Sequence, residues 1–255
     1  MRLADEHDVA LIRADNPGPF TLSGTNTWVV GRDPCWVVDP GPALEPHLDA
    51  ISAEAEARGG AAGIVLTHDH DDHAEAAPEL AGRLRVRVAA TRARGAVRIS
   101  DGDEVGPFTV VATPGHAPDH VALVAGSACF TGDAILGEGS VFIAPDPGAL
   151  SGYLRALERL RGMDLAVLCP GHGPVVEDPQ GKIDQYVSHR MDRERRVLAA
   201  LDAGRRSVDE LLDEVWDDAP AVLRPAAAVT LAAHLDKLEE EGRLPEGVER
   251  PQWPW

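Results

Sequence analysis

The chain has 255 residues, 44% of them hydrophobic, enough to bury one sizeable core and a small second one. Lys and Arg number 24 against 42 Asp and Glu, and the resulting formal charge of -18 repels nucleic acids and anionic membranes at long range. No run reaches the roughly 18 apolar residues of a membrane span, and the start MRLADEHDVA is charged where a signal peptide is apolar, so a cytoplasmic protein is expected.

In chain order, the first two-thirds is a series of short apolar runs broken by Gly, Pro and Asp: NTWVVG, CWVVDPG, GIVLTH, LRVRVAA, FTVVATPGH, HVALVAG, ACFTGD and LAVLCPGHG. Val-rich runs of this length between turn residues predict strands. Helical spacing appears between some of them. Leu44, Leu48 and Ile51 recur at four and three residues before Gly59 and Gly60, and Leu150, Tyr153, Leu154, Leu157 and Leu160 do the same. Cys35, Cys129 and Cys169 lie far apart in or beside apolar runs, which predicts buried reduced thiols rather than a disulfide.

Past roughly Asp184 the strand-like runs stop and three helices are predicted. QYVSHRMDRERRVLAALDAG ends at Gly204, SVDELLDEVW opens with a capping box of Ser207 and Glu210, and LRPAAAVTLAAHLDKLEEEGRL carries Val229, Leu231, Leu235 and Leu238. The pattern divides the chain into residues 1–184, mixed α/β, and residues 185–255, a winged-helix-like helical segment. Its acids outnumber its bases, which favours a packing module over a nucleic-acid reader. The apolar face of the third helix, with Trp253 and Trp255 beyond it, is a candidate homo-oligomer contact, and truncation after about Asp184 is expected to leave the chemistry-bearing residues intact.

That chemistry centres on HDHDDH, His68 to His73, which follows the strand GIVLT and precedes a helix-forming run. Loops at the carboxyl ends of strands hold sites on a rigid scaffold. Imidazoles and carboxylates crowded together suit zinc or another borderline divalent ion. Three more strand ends supply candidates beside glycine: His116 after FTVVATPG, Asp133 after ACFTG and His172 after LAVLCPG. The set is larger than one ion needs, and two metals are expected.

HxHxDH, TPGH, TGD and PGHG in this order resemble the metallo-β-lactamase superfamily, from about Asn16 to His172. That resemblance implies an αββα sandwich with the metals at one edge. It implies that His68, His70 and His116 bind the first ion, that Asp72, His73 and His172 bind the second, and that Asp133 bridges them. The ions are expected to be Zn2+, with iron or manganese as alternatives. Asp69 and Asp71 fall on the variable positions and are left outside the shell. NPGPFTLSGTNTWVVG, TPGHAPDH and PGHGPVV further resemble the β-lactamase-like protein 2 branch, whose members add a winged-helix-like end and include a single-strand endoribonuclease and polyketide thioesterases.

The resemblance implies a hydrolase whose nucleophile is a metal-bridging hydroxide, with Asp72 both ligand and candidate base. His120, four residues past His116 in HAPDH, is a candidate catalytic residue, as a proton donor or as a group supporting a ligand, or else a structural histidine at a strand end. Tyr186, His189 and Arg190 follow the last ligand closely enough to border the cleft or simply to pack a helix. A small-molecule ester or thioester is the expected substrate. An endoribonuclease is the first alternative, because six arginines fall between Arg83 and Arg98, with Arg83, Arg85 and Arg87 alternating along an expected strand. A metal-sensing DNA-binding regulator is the weaker alternative.

Overall fold

Alternation of apolar residues builds the larger part of the molecule. The computed structural model describes residues 8–252 and divides into two units. The first comprises the chain up to Thr113, Asp119–Gly139 and Met163–Pro179; the second comprises Pro114–Pro118, Ser140–Gly162 and the chain from Gln180 onward.

In the first unit β1 (Val9–Arg13), β2 (Asn26–Val30), β3 (Cys35–Val38), β4 (Ala61–Val65), β5 (Arg87–Ala90) and β6 (Val97–Arg98) form one sheet in that order. β1 to β3 pair antiparallel and β3 to β6 parallel. Parallel neighbours need a crossover. Helix α1 (Glu45–Ala57) joins β3 to β4, while α2 (Asp71–Ala74) and α3 (Ala77–Leu84) join β4 to β5. The second sheet runs β11 (Val167–Pro170), β10 (Ala128–Gly132), β9 (Val121–Ala125), β8 (Phe108–Ala112) and β7 (Glu104–Val105).

Successive side chains on a strand point to opposite faces. Val38, Val65 and Ala89 of the first sheet therefore share a core with Phe108, Val110, Leu123, Phe130 and Cys169 of the second. The residues out of phase with these, Val37, Ile64, Leu66 and Ala90, pack against Leu48 and Ile51 of α1 and Ala77 and Leu80 of α3. Each buried Val, Leu, Ile or Phe among them contributes about 1.5–3 kcal/mol. Cys35, Cys129 and Cys169 are free and buried, as expected.

The arginine run departs from the expected strand. Helix α3 extends to Leu84, Arg85 caps it in the left-handed region at φ 58°, and β5 begins only at Arg87. Arg83 is helical and pairs with Glu45, Asp49 and Glu79. β1, β6 and β7 are strands the sequence reading did not mark.

The second unit contains α4 (Ala149–Arg161), α5 (from Pro179–Asp202), α6 (Val208–Val215) and α7 (Arg224–Glu240). Ser207 Oγ accepts from the Glu210 amide while Glu210 accepts from the Ser207 amide, the expected capping box. Val197 and Leu201 of α5, Leu211 and Leu212 of α6, and Leu231, Leu235 and Leu238 of α7 form one core. Leu231, Leu235 and Leu238 of α7 are thus covered within their own unit. Trp253 and Trp255 lie outside the described residues. Among the described residues no helix is long and apolar enough to cross a membrane.

Candidate metal centre

The centre begins at Asp39, the residue after β3, held at φ 49° and 1% exposed. Its Oδ1 accepts from the Thr67 amide at 2.8 Å, and its Oδ2 accepts from the Thr67 hydroxyl at 2.7 Å and from His73 Nδ1 at 3.0 Å. One buried carboxylate thereby orders the loop that follows β4. Because the Thr67 proton goes to Asp39, Thr67 Oγ1 is the acceptor for His68 Nδ1 at 3.0 Å. His68 and His73 both carry their proton on Nδ1 and turn Nε2 inward.

The last strand end is fixed from the other side. Asn26 Nδ2 donates to the Pro170 and Gly173 carbonyls, both at 2.9 Å, and the Asn26 amide donates to Gly171 O at 2.7 Å. Between those two residues His172 donates from Nδ1 to Gly24 O at 3.4 Å, leaving Nε2 as a lone pair.

These constraints bring six of the expected residues together: His68, His70, Asp72, His73, Asp133 and His172. His68 Nε2 lies 3.1 Å from His70 Nδ1, and His73 Nε2 lies 3.2 Å from His172 Nε2. Asp133 Oδ1 is 3.4 Å from His73 Nε2 and 3.5 Å from His172 Nε2. Asp72 Oδ2 is 3.2 Å from His172 Nε2 and 3.7 Å from His73 Nε2. Two sets, His68 with His73 and Asp133, and Asp72 with His73 and His172, each place their ligand atoms within 4.8 Å of one another.

Close approach depends on glycine at two points. A Cβ on Gly132, at φ 45°, would lie 2.4 Å from Thr67 Oγ1, and one on Gly171 would lie 2.5 Å from His73 Cε1 and 2.8 Å from Asp133 Oδ1. Alanine at either position would displace the groups it meets.

The donor set fits a divalent ion. The Nε2 atoms of His73 and His172 face each other at 3.2 Å with the Asp133 and Asp72 carboxylates beside them, an arrangement that needs a proton or a metal ion between the two nitrogens. Burial works against charge on His73, yet the neighbouring carboxylates of Asp133 and Asp39 outweigh it and hold its pKa well above the usual range. Burial likewise opposes the Asp72 carboxylate, but the His172 hydrogen bond and His73 keep its pKa low. The field favours positive charge, and mixed imidazole and carboxylate donors suit zinc, iron or manganese.

His120 sits between Thr113 and Asp133, the supporting place that is one of the roles expected of it. The Asp133 amide donates to its Nε2 at 3.0 Å, so Nδ1 carries the proton and meets Thr113 Oγ1 at 2.7 Å. The ring positions Asp133 and holds no proton on the nitrogen turned towards it. His116 lies on the turn Pro114–Pro118, its ring 4.6 Å from that of Phe142 and its Nδ1 donating to Phe142 O at 3.4 Å. Asp69 and Asp71 are exposed, and the Asp69 amide donates to Asp119 Oδ2. Asp39 and Thr67 were not singled out in the sequence; the signal for Asp39 was its place after a strand in CWVVDPG, shared with the ligands.

Residues 20–97 and 91–172 match the profile of the metallo-beta-lactamase superfamily, and residues 207–253 match the beta-lactamase associated winged helix domain. The chain belongs to the metallo-β-lactamase superfamily. It is 32% identical to the beta-lactamase-like protein 2 homolog of Caenorhabditis elegans over 92% of this chain and 85% of that protein. It is 31% identical to an atrochrysone carboxyl ACP thioesterase of Cryptosporiopsis sp. over 76% of this chain and 63% of that one. A metallo-beta-lactamase family protein from Thermus thermophilus shares the fold, with a TM-score of 0.76 at 24% identity over 92% of this chain and 94% of that chain. Superfamily members are mostly metal-dependent hydrolases, and this chain is one of them.

Proposed function

We propose that the protein hydrolyses a small-molecule ester or thioester at a centre of two divalent ions, Zn2+ in the first instance. His68, His70 and His116 are assigned to one ion, Asp72, His73 and His172 to the other, and Asp133 to both. All seven fall within residues 1–184, taken as the catalytic segment. The observation that carries this reading is the convergence of His68, His73, His172, Asp72 and Asp133, with the imidazole protons of all three histidines held on their outward nitrogens.

Such ions, when bound, lower the pKa of water to about 7 and polarise a carbonyl oxygen, so that neither Ser nor Cys is needed as nucleophile. The side chains do the rest. Asp39 and Thr67 hold the tautomers of His73 and His68. Asp72, whose side chain is 32% exposed, is the group placed to accept a proton from an attacking water. His120 fixes the Asp133 backbone. The likeness to a carrier-protein thioesterase supports an acyl thioester as substrate. Turnover of short acyl thioesters by protein reconstituted with Zn2+, Fe2+ or Mn2+ is the test; no turnover with any of the three would refute the reading.

A second reading, cleavage of single-stranded RNA, is favoured by one observation. Arg85, Arg87, Arg92, Arg94 and Arg98 are all exposed, and none is paired with a carboxylate among the described residues. RNA affinity falling steeply with salt would promote it. The DNA-regulator reading loses ground, because Arg193, Arg196, Arg224, Lys237 and Arg250 in the second unit are all engaged by that unit's own acids.

A further inference from the structure

The turn that carries His116 is built by elements well beyond it in sequence. Gly115, at φ 141°, lies so close to α4 that a Cβ there would be 2.6 Å from Tyr153 Cβ. Gly115 O accepts from the Ala144 amide at 2.7 Å, tying the turn to the segment Val141–Ala144. That segment lays the Phe142 ring against His116 and offers Phe142 O to His116 Nδ1. A proton held on Nδ1 leaves Nε2 as the ligand nitrogen, the way second partners fix metal-binding histidines generally.

Val141 and Ile143 are buried in a segment without regular structure, so their backbone polar groups need partners from elsewhere. Two side chains supply them. Arg190 of α5 donates from Nη2 to Val141 O and lies over the Tyr153 ring, 5.5 Å from its centroid. Thr230 of α7 donates its own proton to Ala226 O and accepts from the Ile143 amide at 3.2 Å.

Arg190 is a costly residue to place there. It is 2% exposed, it pairs with no carboxylate among the described residues, and its Nε has no hydrogen-bond partner among them. Burying a guanidinium with no carboxylate partner is unfavourable, and packing alone would be served better by Leu or Met. What arginine adds is the bond to Val141 O, together with a side-chain hydrogen bond to Tyr153.

We infer that Arg190 and Thr230 are positioning residues for His116, setting its orientation and tautomer through the Val141–Ala144 segment. The inference builds on the ligand assignment proposed above. Both residues lie past Asp184, so truncation there would keep every assigned ligand in the chain but remove these two supports of His116.

The test uses the full-length protein, equilibrium dialysis against Zn2+ and the absorption spectrum of the Co2+-loaded form. Arg190→Met and Thr230→Val are each expected to weaken one of two metal equivalents by about 10- to 100-fold, leave the other unchanged and alter the Co2+ bands. Thr230→Ser, which keeps the acceptor, should restore wild-type values. Two equivalents of unchanged affinity with unchanged Co2+ bands in both variants would overturn the inference. If Arg190→Met does not fold, the Thr230→Val and Thr230→Ser pair decides the matter alone. His116→Ala, run alongside, should lose one equivalent; retention of both would overturn the ligand assignment itself and not merely the role of its supports.

Discussion

Both units bury histidine, to opposite ends. In the first unit His68, His73 and His172 each donate one ring proton outward and turn the other nitrogen towards neighbouring imidazoles and carboxylates. In the second unit His234 is fully buried with neither ring nitrogen hydrogen-bonded to a described residue. Burial, and then the cations of Arg190, Lys237 and Arg193, push its pKa down to about 3. The difference lies in the surroundings. Carboxylates around His73 favour a cation, whereas bases around His234 exclude one, so a buried histidine signals a metal only where its outward nitrogen is held and acids face its inward one.

The comparison breaks most sharply at Asp133. Asp133→Ala removes the carboxylate assigned to both ions, and turnover should fall by roughly three orders of magnitude or more. Steady-state kinetics on metal-reconstituted protein checks this; near-normal activity would mean that the acid-rich pocket is not the reaction centre.

A more moderate effect is expected at the carboxylate that sets the tautomers. Asp39→Asn leaves a single acceptor oxygen where Oδ1 serves the Thr67 amide and Oδ2 serves both the Thr67 hydroxyl and His73 Nδ1, so the donors on one side face an NH2 group and lose their partner. Metal affinity should drop by about 10- to 100-fold, measured by competition with a chelator. Unchanged affinity would show that Asp39 is only a folding contact.

At His234 the comparison sharpens into a pH dependence. Its folded pKa of about 3 lies below the ordinary 6.5, so the unfolded chain binds the proton first as pH falls. Stability is therefore complete above pH 6.5 and is lost progressively as pH drops towards 3, on the order of 2 kcal/mol at pH 5. Denaturant titrations of wild type and His234→Leu from pH 7 to pH 5 should show the variant losing less. Parallel slopes would place the cause of acid sensitivity elsewhere.

The smallest change separates residues of the second unit that bear on His116 from those that do not. Ser207→Ala breaks the capping box of α6 and should cost about 1 kcal/mol of stability while leaving metal content unchanged. A loss of metal in that variant would show that any weakening of the helical core reaches the site, and the specificity claimed for Arg190 and Thr230 would fall.

How much of this was legible in the sequence follows from what each signal needs. The strand ends could be read because Val-rich runs bounded by glycine mark them, and HDHDDH is too dense in ligand types to be an ordinary loop. Helices α4 and α6 could be placed because their apolar periodicity is strong and, for α6, a capping box opens it, whereas α1 and α7 were marked by a few apolar residues at helical spacing followed by glycine. β6 and β7 are two residues each, too short for a pattern, and the alternation at Arg83, Arg85 and Arg87 was a helix end followed by a left-handed cap. Asp39 looks like any Asp in a turn, because its three bonds go to residues 28 and 34 positions away. The supports of His116 were invisible for the same reason: Arg190 and Val141 are 49 positions apart, and Thr230 and Ile143 are 87.

The number of metal ions bound per chain tests the central claim most directly. Elemental analysis after reconstitution with Zn2+, Fe2+ or Mn2+ and exhaustive dialysis should give two tight equivalents for the wild type. A value of one or none with every metal tried would contradict a two-ion centre at the six gathered residues and His116.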